Sequence, residues 1–253
     1  MTVIPDLRVL QLDDLRTILV AHRLWTEGQG GQRADLSRVD LGGLDLRHAC
    51  LSRALLSGAN LNCANLLGAD LSGAEMIGTT IEDASLEMAR LPGAVLNNAR
   101  MGGTNLAAAD LRGAVLNGAL MARATLTDAD LTGASMQRVS LEHGDLIGAT
   151  LDGCNLQKAG LFEADLSRAL IRGAKLDYAY LNMAILRETE LERTSFVGAD
   201  LRGADLREAR LVGAILRNAW LLGSDLADAD LTDADMTGAA MPEEAIDETP
   251  GLA

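Results

Sequence analysis

Apolar residues recur at every fifth position along most of the chain. From Leu36 to Met241 the step holds without a break over 42 positions, which comprise 33 Leu, 6 Met, 2 Ile and 1 Phe. A second column lies two residues before each of these positions, and 32 of its 42 members are Ala. The residue between the two columns is often Asp or Asn, as in the segments ANLNC (59–63) and ADLSG (69–73).

A period of five fits neither an α-helix, which repeats near 3.6 residues, nor a simple strand, which repeats every two. Two inward side chains in five residues indicate a short extended piece followed by a corner, with the intervening Asp or Asn pointing outward. Four such units close a square coil of about 20 residues, and successive coils stack at roughly 4.8 Å. The pattern therefore predicts an all-β fold, a parallel β-solenoid of about 10.5 coils.

The motif A(D/N)LXX resembles that of the pentapeptide repeat family. The resemblance covers residues 34–243 and implies a right-handed quadrilateral β-helix. It identifies a fold and not a reaction, because one fold can support many functions.

The two ends of the chain depart from the repeat. Apolar residues between Leu12 and Trp25 fall at approximate helical spacing, acidic Asp13 and Asp14 suit a helix N-terminus, and Gly28 ends the pattern, so we predict a helix at about 12–26. We divide the chain into an N-terminal helical cap (1–33), a β-helix (34–243) and a short C-terminal tail (244–253). We expect the tail to cover its end poorly, which favours end-to-end association.

The corners of the predicted square differ in composition. One corner has Gly at six successive coils from Gly73 to Gly173, which favours a turn that needs a positive φ. Another begins with Gly58 and Gly78 but later holds Arg138 and Lys158. This contrast predicts a mixture of turn types around the rod.

The net charge restricts the classes of partner that the protein is expected to bind. The chain has 36 acidic and 22 basic residues, a net charge of -14, which argues against direct binding to nucleic acid or to an anionic membrane. Acidic residues near the N-terminus break any signal-peptide pattern, and the three cysteines lack metal-site spacing. We expect a cytoplasmic protein with free thiols.

Aromatic residues are scarce, and most of them fall on one face. Aromatics make up 2% of the chain, and residues 20 apart in sequence stack on the same face. Exposed apolar patches mark contacts, and Trp and Tyr are enriched in binding hot spots. We therefore predict a protein interface, most simply that of a homodimer, formed by Phe162, Tyr178, Tyr180, Met183, Trp220 and Leu222.

Acidic residues form ladders along other faces. Asp145 stacks over Asp165 and Asp205 over Asp225, while Asp230 and Asp235 belong to the last coil. These ladders are a solvated surface, an imitation of the DNA backbone or a divalent cation site of stacked Asp residues, and no compact oxygen-ligand loop supports the third alternative. The second alternative comes from the resemblance, because relatives that confer quinolone resistance resemble duplex DNA and bind DNA gyrase; several Arg residues interrupt the ladders here.

Catalytic patterns are missing from the sequence. The three histidines lie far apart in the chain, no phosphate-binding Gly loop occurs, and no compact set of oxygen ligands indicates a metal site. We expect no catalytic residues, no cofactor and no metal. The sequence favours a non-enzymatic scaffold that presents a rigid acidic rod to a protein partner of unknown identity, with a DNA-mimicking topoisomerase regulator as the alternative.

Overall fold

The computed structural model describes residues 7–241. Within that range one helix, α1, spans Leu12–Thr26, and residues 34–241 wind into a solenoid. The solenoid is held by parallel bridges between residues 20 apart, which run in steps of five from Asp35↔Leu55 to Trp220↔Ala240. Each repeat contributes one bridging residue and not a longer strand, because the corner takes up the neighbouring residues.

Backbone hydrogen bonds repeat with the same period. In the repeat that begins at Asp40, Leu41 N–H donates to Asn60 O (2.8 Å), Gly43 N–H to Asn62 O (2.8 Å) and Leu44 N–H to Leu41 O (3.3 Å). The first two bonds join one coil to the next, and the third closes the corner. Together with the bond from Asp40 N–H to Arg8 O (2.9 Å), which recurs inside the rod as Asn60 N–H to Val39 O (3.0 Å), these bonds satisfy four of the five backbone donors of a repeat without a long strand.

All corners share one backbone conformation. From Arg38 to Gly238, every residue two positions after an inward Leu or its equivalent has a φ between 53° and 72°, whether or not it is Gly. The predicted mixture of turn types is therefore wrong. Coil stacking and the repeated turn hydrogen bond hold residues such as Arg138 (φ 55°) and Lys158 (φ 60°) in a region that side chains otherwise avoid.

The two apolar columns form a continuous core. The Leu-type and Ala-type positions are fully buried through the middle of the rod, and the largest inward side chain is that of Phe196. Polar members of the Ala column bond to backbone carbonyls: Thr104 Oγ1 donates to Ile81 O (2.7 Å), and Cys154 Sγ donates to Leu131 O (2.9 Å). Because each buried donor has an acceptor, these substitutions cost little.

The N-terminal segment packs on the first coil. Leu15 of α1 joins the core, and His22 is fully buried. Arg8 forms a parallel bridge with Val39 and donates from its guanidinium to Asp35 O (3.1 Å). At the other end, the inward residues from Leu226 onward are partly buried, and the predicted tail at 244–253 lies outside the described residues.

Candidate protein-binding surface

The structure places Tyr180 and Trp220 in one outward column. Parallel bridges connect Tyr180 to Asp200 and Asp200 to Trp220, so the two aromatic residues lie two coils apart. Two coil steps correspond to about 9.6 Å. Tyr180 is 58% exposed and Trp220 is 51% exposed. Their side chains stand on either side of the intervening coil.

A groove of about 470 Å³ lies between these aromatic residues. It is lined by Tyr178, Tyr180, Gly198, Asp200, Arg202, Asn218 and Trp220. The coil that contains Asp200 forms the floor of the groove. Tyr180 lies one coil before it and Trp220 lies one coil after it, so the two rings form the walls. A groove of this kind can take one side chain or one extended segment of a partner.

An ion pair fixes the floor of the groove. Arg202 donates from Nε to Asp200 Oδ1 (2.8 Å) and from Nη2 to Oδ2 (2.5 Å). The guanidinium also lies over the Trp220 ring, 5.0 Å from its centroid. The hydrogen bonds from Arg202 lower the pKa of the Asp200 carboxyl. Arg202 therefore neutralises the acid and orients the indole through a cation–π contact.

The position of the Tyr178 ring requires a glycine, Gly198, in the next coil. A Cβ atom on Gly198 would lie 2.8 Å from Tyr178 Cε1, which is too close for a real contact. Gly198 thus leaves the space in which the Tyr178 ring lies against the corner. The same relation holds between Met183 and Gly203, where an added Cβ would lie 2.5 Å from the Met183 sulfur.

The other predicted interface residues lie beside the groove and do not line it. Met183 and Leu222 are exposed on the same face. Phe162 is 38% exposed and meets the His143 ring edge-on at 5.6 Å between centroids. His143 Nδ1 lies 3.1 Å from Glu163 Oε2. Three of the six predicted residues, Tyr178, Tyr180 and Trp220, therefore line one groove. The other three lie around it.

This part of the rod is poor in charge. We call the outward columns that contain Tyr178, Tyr180, Asn182 and Met183 the aromatic face. Between residues 160 and 223, the charged residues in these columns are Glu163, Asp200 and Arg202. They are three of 15 outward positions, whereas 15 of the other 24 outward positions in the same range are charged. Few like charges of a second copy would therefore meet at this face.

The first two predicted acidic pairs stack as expected, but the ladder is interrupted. Bridges join Asp145 to Asp165 and Asp205 to Asp225, and Ile185 lies between the two pairs. Arg207 contacts both members of the second pair, through Nη2 to Asp205 Oδ2 (2.9 Å) and Nε to Asp225 Oδ2 (3.4 Å). The second pair is therefore partly neutralised.

The last two predicted acids lie on other faces. Asp230 is bridged to Arg210, and Asp235 is bridged to Ile215. Hydrogen bonds from Thr237 and then from Arg217 lower the pKa of Asp235 to about 2. The six acids therefore do not form one continuous ladder.

Many outward Asp and Asn residues have a structural role that sequence reasoning missed. Asp145 Oδ1 accepts the Ile147 N–H (3.1 Å), Asp165 Oδ1 accepts the Ser167 N–H (2.9 Å), and Asn105 Oδ1 accepts the Ala107 N–H (3.0 Å). In each case the N–H belongs to the residue after the inward Leu, which donates no backbone hydrogen bond to a neighbouring coil. The sequence indicates this role because Asp and Asn occur at this position in preference to Glu. The shorter side chains are the ones that can accept a hydrogen bond from the backbone N–H two residues onward.

The reactive groups outside the aromatic face include no metal-binding cluster among the described residues. Residues 7–241 contain no group of three His, Cys, Asp or Glu side chains placed to hold a metal ion. Burial raises the pKa of the Cys154 thiol to about 12, so this thiol stays protonated. Helix α1 lacks the length and the hydropathy of a membrane span, and residues 7–241 contain no other helix.

Comparison with known proteins identifies the repeat. A family model described as pentapeptide repeats matches in eight copies, and the matched ranges overlap to cover residues 49–242. A search of proteins with curated descriptions finds no match.

The solved structure of a pentapeptide repeat protein agrees with the family match. The crystal structure of HetL, a pentapeptide repeat protein involved in heterocyst differentiation regulation from the cyanobacterium Nostoc sp. strain PCC 7120, is 34% identical. The alignment covers 87% of this chain and 95% of that one, with a TM-score of 0.66. QnrB1, a plasmid-mediated fluoroquinolone resistance protein, is 18% identical over 82% of this chain and 93% of its own, with a TM-score of 0.41. The resemblance inferred from the motif is confirmed: the chain belongs to the pentapeptide repeat family, and its fold is a right-handed β-helix solenoid.

Proposed function

We propose that this protein is a non-catalytic, cytoplasmic scaffold that binds a protein partner through its aromatic face. The observation that supports the proposal best is the groove between Tyr180 and Trp220. Exposed aromatic residues in a charge-poor part of an otherwise acidic rod have the composition of a protein contact. Phe162, Met183 and Leu222 extend the contact area around the groove.

We further propose that the partner in the absence of other proteins is a second copy, which gives a homodimer. Two acidic rods repel one another, and the charge-poor part of the aromatic face reduces that repulsion. A dimer formed here buries the exposed Trp and Tyr side chains of both copies.

Sedimentation equilibrium of the wild type and two variants tests the proposal. In W220A the groove loses one wall, and we expect the dimer dissociation constant to rise at least about 30-fold, since a hot-spot residue contributes about 2 kcal/mol or more. The matched control is L120A, because Leu120 is 48% exposed in the same column but lies five coils from Trp220. A wild-type protein that stays monomeric would refute the dimer, and equal dimerisation of W220A and wild type would refute the contact surface.

The alternative function, regulation of a topoisomerase by DNA mimicry, rests on the stacked pairs Asp145–Asp165 and Asp205–Asp225. The contacts of Arg207 with the second pair reduce the negative charge that such mimicry needs. Mixing the protein with DNA gyrase distinguishes the two functions. A salt-sensitive complex that the double variant D145N/D165N weakens would favour the mimic, and W220A would then have no effect on it.

A further inference from the structure

His22 joins α1 to the start of the solenoid. Its side chain is fully buried, and Nδ1 accepts a hydrogen bond from the backbone N–H of Ala34 (3.0 Å). The imidazole stacks on Trp25 of the same helix, with 5.6 Å between centroids and an angle of 18° between planes. Ala34 is the first inward residue of the solenoid, so this hydrogen bond links the helix to the rod, as does the contact between Thr26 Oγ1 and Cys50 Sγ (3.5 Å).

The hydrogen bond defines the protonation state of the ring. A nitrogen that accepts from a backbone N–H has no proton, so Nδ1 is bare and the proton of the neutral ring is on Nε2. Among residues 7–241, Nε2 makes no hydrogen bond of regular geometry, although the Ser52 backbone lies near enough to raise the pKa of the ring. A second proton could enter only at Nδ1, where it would replace the acceptor for Ala34 with a donor.

The surroundings of the ring oppose a positive charge. Burial lowers the pKa of His22, the backbone of Ser52 acts in the opposite direction, and the charge of Arg33 lowers it further. Arg33 itself is held by Glu75, with Nη2 2.8 Å from Oε1. Arg23 of α1 and His48 and Cys50 of the first coil line a small cavity beside the helix, and Arg33 Nε donates to the carbonyl of Arg53.

The segment that His22 anchors covers an open edge of the solenoid. Arg8 N–H donates to Arg38 O (2.6 Å), and its guanidinium donates to Ser37 O (2.9 Å) as well as to Asp35 O. Inside the rod, the carbonyls equivalent to those of Asp35 and Ser37 accept from the preceding coil, as Leu55 O accepts from Leu36 N–H (2.8 Å) and Ser57 O from Arg38 N–H (3.1 Å). The N-terminal segment therefore takes the place of a missing coil at an edge that would otherwise pair with other chains.

We propose that His22 is an acid-sensitive latch, and that protonation of Nδ1 breaks its bond to Ala34 and releases α1 from the first coil. The neutral ring stabilises the docked helix fully above pH 6.5, the ordinary pKa of the side chain. Because the docked state has the lower pKa, that stabilisation is lost as the pH falls below 6.5. The population of the released state rises about tenfold per pH unit until the pKa of the docked ring is reached. This inference is independent of the aromatic face.

Hydrogen exchange of the full chain, followed by mass spectrometry from pH 7.5 to 4.5 and corrected for intrinsic rates, tests the latch. We expect peptides from α1 to lose protection about tenfold per pH unit below pH 6.5, while peptides from 126–146 keep theirs. The variant H22N offers an amide oxygen in place of Nδ1 and cannot be protonated, so its α1 protection should not change with pH. H143N, which removes an exposed histidine from a corner, should behave like wild type.

Two results would overturn the latch. One is protection of α1 that is constant with pH in the wild type, and the other is the same loss of protection in H22N. If H22N does not dock its helix at pH 7.5, an NMR titration of the His22 ring in the wild type decides the question. A ring pKa below 6.5, with helix release in the same pH range, supports the latch, and a ring pKa at or above 6.5 contradicts it.

Discussion

The hydrogen bond from the Ala107 N–H to Asn105 Oδ1 gives the clearest test of why Asp and Asn recur on the outside of the rod. N105A removes an acceptor at 3.0 Å from a half-buried donor. A hydrogen bond of this kind contributes about 1 kcal/mol, and its loss lowers the melting temperature of a protein of this size by about 2–4 °C.

The matched variant is N105D, which keeps an oxygen at the same position. Both variants and the wild type would be compared by thermal unfolding followed by circular dichroism, and by urea unfolding. We expect N105D to unfold close to the wild type and N105A to unfold earlier. An N105A variant as stable as the wild type, or an N105D variant as unstable as N105A, would refute a structural role for these outward residues.

Three further predictions follow from particular residues. At pH 8 a thiol reagent should label the exposed Cys63 but not Cys154 until the chain is unfolded, because burial raises the pKa of Cys154 to about 12; mass spectrometry of labelled peptides measures this, and early labelling of Cys154 would contradict the packing. G198A should weaken self-association by displacing the tyrosine ring that covers Gly198, whereas G133A, where an added Cβ meets no atom within 4 Å, should not; equal dissociation constants for both variants would argue against the groove. The pKa of Asp235 is lowered to about 2 in the folded state, so its ionised form stabilises the fold above its ordinary pKa of 3.8, and this contribution is lost as the pH falls toward 2; D235N should reduce the dependence of the unfolding free energy on pH in that range, and an unchanged profile would contradict the assigned contacts.

The interior of the rod could be predicted because its side chains obey one rule. An unbroken step of five places Leu or an equivalent at each inward position, and the burial of Leu141 or Phe196 follows from that register alone. The corners could not be predicted as well. Composition suggested that Gly73 and Lys158 belong to different turns, but stacking against neighbouring coils imposes one conformation on both.

The surface was harder to predict than the core, because the register fixes the column of an outward side chain but not the neighbouring side chains that it contacts. The register places Tyr180 and Trp220 in one column, but it does not show that Arg202 bridges Asp200 and the indole. Likewise the stacking of Asp205 over Asp225 follows from the period, whereas the insertion of Arg207 between them depends on rotamers. The groove on the aromatic face and the ion pair at its floor could therefore be identified only from the structure.

Site-specific photocrosslinking tests most directly whether the aromatic face is the contact surface. A benzophenone amino acid would be introduced at Leu222, beside Trp220, and in a separate protein at Leu170, whose bridging column lies on the opposite side of the square coil. We predict that illumination of the purified protein gives a covalent dimer from position 222 and none from position 170. Crosslinks from position 170 alone, or equal yields from both positions, would contradict the account.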